Sequence, residues 1–443
     1  MPSADSTANA PDTIVAVATP PGRGAIGVLR LSGPRSAEIA QAMLGFVPRA
    51  RVATLAAARN AAGELIDEGL ALYFPSPRSY TGENVLEFQG HGGAVVLQDL
   101  LAAFLDAGAR LAEPGEFTRR AFLNGRLDLA QAEAVADLID ASSREAARSA
   151  LRSLRGEFSA ALDALVAQLV ELRALTEAML DFPDEDVDTL HGADALARLG
   201  RVREALDDVL ARSRQGSLLR NGVHVVLAGR PNVGKSSLLN RLSGEERAIV
   251  TPVPGTTRDA LRESIQIEGV PLVITDTAGL RATTDVVERL GVERTRAELQ
   301  RADLVLAVYE AGAGTPPLED LPEGVERIDV YNKIDLAPGF VAPPGAVPVS
   351  AKLGTGLETL RTAILKAAGW SSTGESVFLA RERHLRALRQ AAVHLAAAAQ
   401  ETRRWELFAE ELRQAQSALA AIAGAYTSDD LLGEIFGRFC IGK

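Results

Sequence analysis

Apolar and polar positions follow two different patterns over the first half of the chain. From Thr13 to about Leu123, short apolar segments such as GAIGVLRLSG, which are typical of strands, alternate with helical stretches such as AVVLQDLLAAFLDAG. After Leu127 the apolar positions recur at helical spacing for nearly ninety residues. The patterns predict an α+β domain, followed by a helical segment that is too long for one helix.

A third pattern begins at Val223. Five continuous apolar runs, VHVVLAG, VPLVITD, ADLVLAVYEA, ERIDVYN and GAVPVS, each lead into a loop or a helix. Continuous runs are typical of strands buried on both faces of a mostly parallel sheet. From about Ser376 to Ser428 the helical pattern returns. We infer that the two helical stretches form one domain into which the sheet domain is inserted, the alternative being two independent helical domains.

The predicted fold class is therefore multidomain, with an α+β N-terminal domain, an α-helical domain and an inserted α/β domain. The predicted boundaries are a disordered lead over 1–11, the α+β domain over 12–123, helical parts over 124–218 and 373–443, and the inserted domain over 219–372.

Composition and charge narrow the classes of function. A net charge of −11 over 443 residues argues against non-specific coating of nucleic acid, so any RNA contact must use a local basic patch. The chain contains no apolar run of the about eighteen residues that a spanning helix needs, which predicts a cytoplasmic protein with no membrane partner. The one cysteine, Cys440, cannot form an internal disulfide.

The segment GRPNVGKS matches the phosphate-binding pattern G-x-x-x-x-G-K-[ST] between a predicted strand and a predicted helix. In this pattern backbone N–H groups surround the phosphates, Lys235 reaches the β and γ oxygens, and the Ser236 hydroxyl binds Mg²⁺. The other candidate residues of this loop are Asn232, Val233, Gly234 and Ser237.

Two later segments supply further phosphate and magnesium candidates. The carboxylate of Asp276, at the end of VPLVITD, can bind Mg²⁺ through water, and Gly279 can donate its N–H to the γ-phosphate. Thr257 is the candidate second protein ligand of Mg²⁺. The remaining nucleotide candidates in these segments are Thr251, Thr256, Thr277 and Ala278.

Two elements predict that the base is guanine. The Asp335 carboxylate can accept hydrogen bonds from both N1–H and N2–H₂ of guanine, a donor pair that adenine lacks. The candidates for base recognition are Asn332, Lys333 and Asp335, followed after another strand by Ser350, Ala351 and Lys352. The chain is thus predicted to bind and hydrolyse GTP.

The residue that positions the attacking water is harder to assign. Leu280 follows the segment 276–279, and an apolar side chain cannot orient water. The next loop offers Asp285, Glu288 and Glu293, and the residues alone leave these three alternatives open.

From Asp12 to Lys443 the chain resembles the MnmE (TrmE) family of tRNA-modification GTPases. The resemblance lies in DTIVAVATPPGRGAIGVLRLSG, SYTGENVLEFQGHGG, EPGEFTRRAFLNGRLDLAQAEAVADLIDA, GRPNVGKSSLLN, TPVPGTTRD, DTAGLR and FCIGK. It implies that the N-terminal domain binds tetrahydrofolate and dimerises, and that the inserted domain is a Ras-like G domain.

The same resemblance implies a reaction. With an FAD-dependent partner of the MnmG (GidA) type, in a heterotetramer or larger complex, such proteins add a carboxymethylaminomethyl group at C5 of the wobble uridine (U34) of tRNA. The one-carbon unit comes from 5-formyl-tetrahydrofolate or a related tetrahydrofolate. FAD takes part only through the partner.

The resemblance also implies roles for single residues. It selects Glu288 as the catalytic residue that orients water. It implies a K⁺ site formed by Asn232, Thr251, Val253 and Thr256. It implies folate contacts from Arg30, Glu87, Arg126 and Lys443, with Cys440 as a possible reactive group. Without the resemblance, Arg30 and Glu87 are strand-end charges that can pair with each other.

Two alternatives stay open. The chain can instead be a regulatory or ribosome-assembly GTPase that acts as a switch, and folate binding distinguishes the two functions. A run of arginines, Arg144, Arg148, Arg152 and Arg155, falls on one helical face that can meet tRNA phosphates, but Glu145 and Glu157 dilute its charge, so a solvated face is the preferred interpretation.

Overall fold

The computed structural model describes residues 12–181, 188–244, 262–276, 298–314, 325–371, 377–424, 429–437 and 439–442. Contacts divide the chain into two compact units. Unit 1 comprises residues 1–136 and 423–443, and unit 2 comprises residues 137–422.

Unit 1 contains a six-stranded sheet with the order β3-β4-β5-β2-β1-β6. All neighbouring strands are antiparallel except β1 and β6. The strands are β1 (Ile14–Val17), β2 (Ile26–Ser32), β3 (Thr54–Arg59), β4 (Leu65–Phe74), β5 (Val85–His91) and β6 (Arg110–Leu111).

Unit 2 contains a second six-stranded sheet with the order β12-β11-β10-β7-β9-β8. Its strands are parallel except for the antiparallel pair β8 and β9. The strands are β7 (Val223–Ala228), β8 (Arg262–Ile267), β9 (Val270–Asp276), β10 (Leu304–Glu310), β11 (Glu326–Asn332) and β12 (Val347–Pro348).

The described helices are numbered here in chain order. They are α1 (Ser36–Leu44), α2 (Ala94–Asp106), α3 (Glu116–Leu123), α4 (Leu129–Ile139), α5 (Arg144–Leu154), α6 (Glu157–Asp181), α7 (Asp188–Asn221), α8 (Lys235–Ser243), α9 (Leu357–Ala367), α10 (Glu382–Ala398), α11 (Trp405–Ala423) and α12 (Asp429–Gly437).

Unit 1 buries one face of its sheet. Helices α1 and α2 pack on that face, around a core that includes Leu31, Phe88 and Phe104. The C-terminal helix α12 packs against α3, so the end of the chain belongs to the same unit as its beginning.

Unit 2 combines a buried sheet with a set of long helices. In β10 every residue except Glu310 is buried, as expected for a central strand of a parallel sheet. Helices α7 and α10 precede and follow the sheet in the chain, yet they pack against each other. The sheet segment is therefore inserted between two parts of a helical domain, and the predicted fold class is confirmed. The residue boundaries of the predicted domains stay a prediction.

Within the described part of the chain, no helix is both long and apolar enough to cross a membrane.

Candidate functional site

The phosphate loop follows β7 at the carboxyl edge of the unit 2 sheet, where ligands of open α/β sheets bind. Asn232 and Gly234 adopt left-handed conformations, with φ of +67° and +91°. A Cβ on Gly234 would lie 2.4 Å from Asn332 Nδ2, so this position has no room for a side chain. The loop leads directly into the N-terminus of α8, whose N–H groups favour an anion.

Lys235, the first residue of α8, is buried where this loop ends. Its Nζ donates to the carbonyl oxygens of Gly229, at 2.8 Å, and Arg230, at 3.0 Å. These bonds hold the ammonium group over the loop, where the phosphate oxygens of a nucleotide would bind. Ser236 and Ser237, the next residues of α8, are exposed.

Asn332 connects the phosphate loop to both base-recognition segments. Its Nδ2 donates to the Val233 carbonyl at 2.9 Å. Its Oδ1 accepts from the N–H of Lys333 at 2.8 Å and from the N–H of Ala351 at 3.0 Å. Since Asn332 is buried, its amide group fixes three segments that are far apart in sequence.

The Asp335 carboxylate is oriented by Ser350. The buried Ser350 Oγ donates to Asp335 Oδ1 at 2.6 Å and accepts from the Leu353 N–H at 3.1 Å. The carboxylate keeps oxygen lone pairs that can accept the two guanine donors. Lys352, in contrast, is exposed.

One contact of this site was not predicted from the sequence. Lys333 has φ of +67°, and its Nζ forms an ion pair of 2.8 Å with Glu310 Oε2. Glu310 is the last residue of β10 and lies opposite Asn332 of β11. Its position at the carboxyl end of a predicted strand was the available signal.

Several predicted site residues lie outside the described part of the chain: Thr251, Val253, Thr256, Thr257, Thr277, Ala278, Gly279, Glu288 and Lys443. Asp276 ends β9 at the same edge of the sheet as the phosphate loop. Among the described residues, no group of three or more His, Cys, Asp or Glu side chains forms a candidate metal site.

Comparisons with known proteins identify the family. A model described as the MnmE helical domain matches residues 129–440, and one described as the GTP-binding protein TrmE N-terminus matches residues 13–126. The tRNA modification GTPase MnmE of Azoarcus sp. (strain BH72) is 61% identical to this chain, over 98% of both chains. This chain belongs to the MnmE family of tRNA modification GTPases. It is accordingly a GTP-binding GTPase.

A second relative has the same name, and a solved structure resembles only one part of this chain. MnmE of Aromatoleum aromaticum (strain DSM 19018 / LMG 30748 / EbN1) is 58% identical, over 98% of both chains. Among solved structures, the G domain of the FeoB iron transporter of T. maritima has 29% sequence identity and a TM-score of 0.25, covering 33% of this chain and 98% of that chain. A TM-score this low does not establish a shared fold.

The residues that the MnmE resemblance assigns to folate lie in unit 1. Arg30 of β2 and Glu87 of β5 are cross-strand neighbours, and Arg30 Nε donates to Glu87 Oε1 at 2.8 Å. The Arg30 guanidinium lies 5.6 Å from the ring centre of Tyr80 and 5.9 Å from that of Phe117. The two charges therefore pair with each other, and the two rings beside Arg30 were not predicted from the sequence.

The folate candidate Arg126 and the possible reactive group Cys440 do not belong to this ion pair. Arg126 is exposed and lies beside Gly82, since a Cβ on Gly82 would be 3.3 Å from Arg126 Cγ. Cys440 is a free, exposed cysteine whose carbonyl oxygen accepts from the Gly115 N–H at 3.4 Å. Nearby in the chain, Gly442 is buried, and a Cβ there would lie 2.5 Å from the Val17 carbonyl.

Proposed function

We propose that this GTPase is the GTP-hydrolysing subunit of a complex that adds a carboxymethylaminomethyl group at C5 of the wobble uridine of tRNA. Its partner in the complex is an FAD-dependent enzyme of the MnmG type, and a tetrahydrofolate supplies the one-carbon unit. The observation that carries this proposal is that the chain combines a guanine nucleotide site with a second charged and aromatic site around Arg30 in a separate unit.

The chemistry of the second site suits a folate. The Glu87 carboxylate, 17% exposed, can accept hydrogen bonds from the amino and ring N–H groups of a pterin. The half-buried ring of Tyr80 offers an aromatic surface to a planar heterocycle beside the Arg30 cation, whereas the ring of Phe117 is fully buried and contacts the guanidinium from the core side. The exposed guanidinium of Arg126, together with Lys443, suits the carboxylates of the glutamyl tail.

The nucleotide site suits Mg²⁺ and K⁺. The hydroxyls of Ser236 and Thr257 are proposed ligands of Mg²⁺, which would neutralise charge between the β and γ phosphates. The side-chain oxygen of Asn232 is a proposed K⁺ ligand, with Thr251, Val253 and Thr256 completing the set. Glu288 is proposed to orient the attacking water.

We also propose that the chain forms a homodimer through its N-terminal domain. Leu55 of β3 and Leu70 of β4 are directly opposite each other and are 73% and 41% exposed. Ile26 of β2 is 62% exposed. Exposed apolar side chains grouped on a sheet suit an interface with a second copy.

Folate binding tests the proposed function. We expect saturable binding of 5-formyl-tetrahydrofolate by isothermal titration calorimetry, and binding weakened at least about tenfold by Glu87→Gln, which removes a charged acceptor. Glu38→Gln is the matched control, because Glu38 also pairs with an arginine but is 72% exposed and lies on α1, which carries none of the proposed folate contacts.

If the wild-type protein shows no saturable folate binding, the modification function loses its support. The chain would then be better described as a regulatory or ribosome-assembly GTPase that acts as a switch.

A further inference from the structure

The rotation of α5 about its own axis is fixed by four buried small residues within the helix, Ala146, Ser149, Ala150 and Ser153. The helix starts at a Ser143 cap, whose side chain accepts from the Ala146 N–H at 3.1 Å. Ser149 Oγ donates to the Val377 carbonyl at 2.8 Å, and Ser153 Oγ accepts from the Leu379 N–H at 3.1 Å. Ala146 and Ala150 are buried in the main core of unit 2. The opposite face of α5 must therefore point away from the core.

That opposite face carries the arginine stripe, which we define as Arg144, Arg148, Arg152 and Arg155. At 100° per residue the four positions fall within about 80° of each other, and they extend over about 16 Å. Arg144, Arg148 and Arg155 are exposed, and Arg152 is half-buried.

The structure changes the balance of charge on this face. Glu145 forms an ion pair of 2.9 Å with Arg148, so its charge offsets that arginine alone. Arg144, Arg152 and Arg155 form no ion pair with any residue in the described ranges. Glu157, the exposed first residue of α6, lies beyond the helix, and with it the segment 144–157 has a net charge of +2, within a chain whose net charge is −11.

Such a stripe is unfavourable without a partner. Like charges spaced four residues apart destabilise a helix by about 0.2–0.5 kcal/mol per pair, and an anion that lies along the face removes this repulsion. The arginines recur about every 6 Å, which suits a polymer with regularly repeated charge better than a single small anion. Arginine also binds phosphate through two parallel hydrogen bonds.

We propose that the arginine stripe of α5 binds the phosphate backbone of tRNA. The inference rests on the proposed function, in which tRNA is the substrate of the complex, and it adds direct contact between this chain and tRNA. This proposal replaces the interpretation preferred from the sequence, in which the arginines only form a solvated helix face. Phosphate contacts give affinity and position, and they do not select a tRNA sequence.

The salt dependence of binding tests the stripe. The probe is a fluorescein-labelled, unmodified tRNA transcript with uridine at the wobble position, and fluorescence anisotropy gives Kd over a series of KCl concentrations. Each phosphate contact contributes about 0.7–0.9 to the slope of log K against log [KCl]. We expect the variant with Arg144→Gln, Arg152→Gln and Arg155→Gln to reduce the slope by about 2 to 3 and to weaken binding about 10- to 100-fold.

The matched control has the same change of charge on another helix. Arg201, Arg203 and Arg214 are exposed on α7, and changing all three to Gln should leave the slope and Kd unchanged. The GTPase rate of both variants, measured without tRNA, should equal that of the wild type and shows that they are folded.

Three results would overturn the proposal, each for a different reason. If the wild type shows no salt-dependent tRNA binding, direct tRNA contact itself is wrong. If the wild type binds but the α5 variant keeps its slope, tRNA contacts another surface. If the α7 control loses as much affinity as the α5 variant, only net charge matters.

Discussion

At the scale of single residues, base recognition depends on how well Asp335 is held. Ser350 Oγ is its hydrogen-bond donor at 2.6 Å and is fully buried. We expect Ser350→Ala to weaken GTP binding about tenfold. The Asp335 carboxylate loses a hydrogen bond of about 1.4 kcal/mol, and this bond also fixes the orientation of the carboxylate. The measurement is titration with a fluorescent GTP analogue.

Thr362 gives a control for this substitution. Its hydroxyl lies on the exposed side of α9 and donates to the Glu358 carbonyl in the same helix. Thr362→Ala should leave GTP affinity unchanged. Equal affinities for Ser350→Ala and wild type would show that Asp335 needs no orientation from Ser350.

A second residue-scale prediction concerns Asn232 and Glu288. If Asn232 is a K⁺ ligand, the steady-state GTPase rate should be at least about tenfold higher in KCl than in NaCl at equal ionic strength, because the cation stabilises charge that develops on the phosphates. Glu288→Ala should abolish turnover while GTP binding persists. Equal rates in the two salts would leave the left-handed Asn232 as a feature of loop geometry alone.

The sequence predicted the nucleotide motifs but not the contacts that organise them. Asn332 and Val233 are separated by 99 positions, and Lys333 and Glu310 by 23. Local patterns identify each motif because the spacing within it is fixed. Contacts between motifs depend on which strands become neighbours, and no local pattern contains that information.

At the scale of elements, continuous apolar runs identified β7 and β9 to β12, including the edge strand β12, whereas the edge strand β8 was missed. The segment that forms β8 alternates between buried Ile265 and Ile267 and more exposed polar neighbours, because β8 is an antiparallel edge strand. The edge strand β3 contains three alanines, which favour helices and carry little strand signal. Strand β4, also missed, mixes acidic and apolar residues.

Glu116, the first residue of α3, is expected to make the stability of unit 1 depend on pH. Glu116 is buried and binds Arg110 at 2.6 Å and Arg120 at 2.9 Å. Burial raises the pKa of Glu116. The hydrogen bonds from Arg110, from the Glu113 N–H and from Arg120 together have the larger effect and bring the pKa below its usual 4.5. The ionised carboxylate therefore stabilises unit 1 above about pH 4.5, and this stabilisation is lost as the pH falls through the lowered pKa.

We expect Glu116→Gln to lower the free energy of opening of α3 by about 2 kcal/mol at pH 7, less than for a fully buried pair because Arg110 is 43% exposed. Hydrogen exchange of the α3 amides, compared with wild type at each pH, measures this difference. It should shrink below pH 4.5. The control is Glu113→Gln, since Glu113 is 66% exposed and 3.7 Å from Arg119. A difference that stays constant with pH would contradict the assignment.

At the scale of the whole molecule, one carboxylate joins both chain connections to the inserted sheet segment. Asp137 Oδ1 accepts from Arg220 Nε at 2.9 Å and from Arg381 Nη2 at 2.8 Å. Arg220 is the next-to-last residue of α7, just before β7, and Arg381 directly precedes α10, where the chain has returned from the sheet. The Asp137 side chain is 5% exposed, so this is a buried ion pair with two partners.

Removing the carboxylate should therefore destabilise unit 2 more than any exposed substitution nearby. We expect Asp137→Ala to lower the free energy of unfolding by about 3 kcal/mol, because two arginines lose their shared partner. The exposed neighbour Asp140 is the control, and Asp140→Ala should change stability by less than about 0.5 kcal/mol. Urea unfolding followed by tryptophan fluorescence measures both, since Trp370 and Trp405 lie in unit 2.

Equal stabilities for the two variants would mean that Asp137 does not hold the connections. The contacts of α5 would then carry that role, because Ser149 and Ser153 bind the backbone on the return connection and the Ser142 carbonyl accepts from Gln266 of β8 at 2.6 Å. Ser149→Ala would separate the cases: it should cost about 1 kcal/mol if both sets of contacts act, and more if α5 alone holds the return connection.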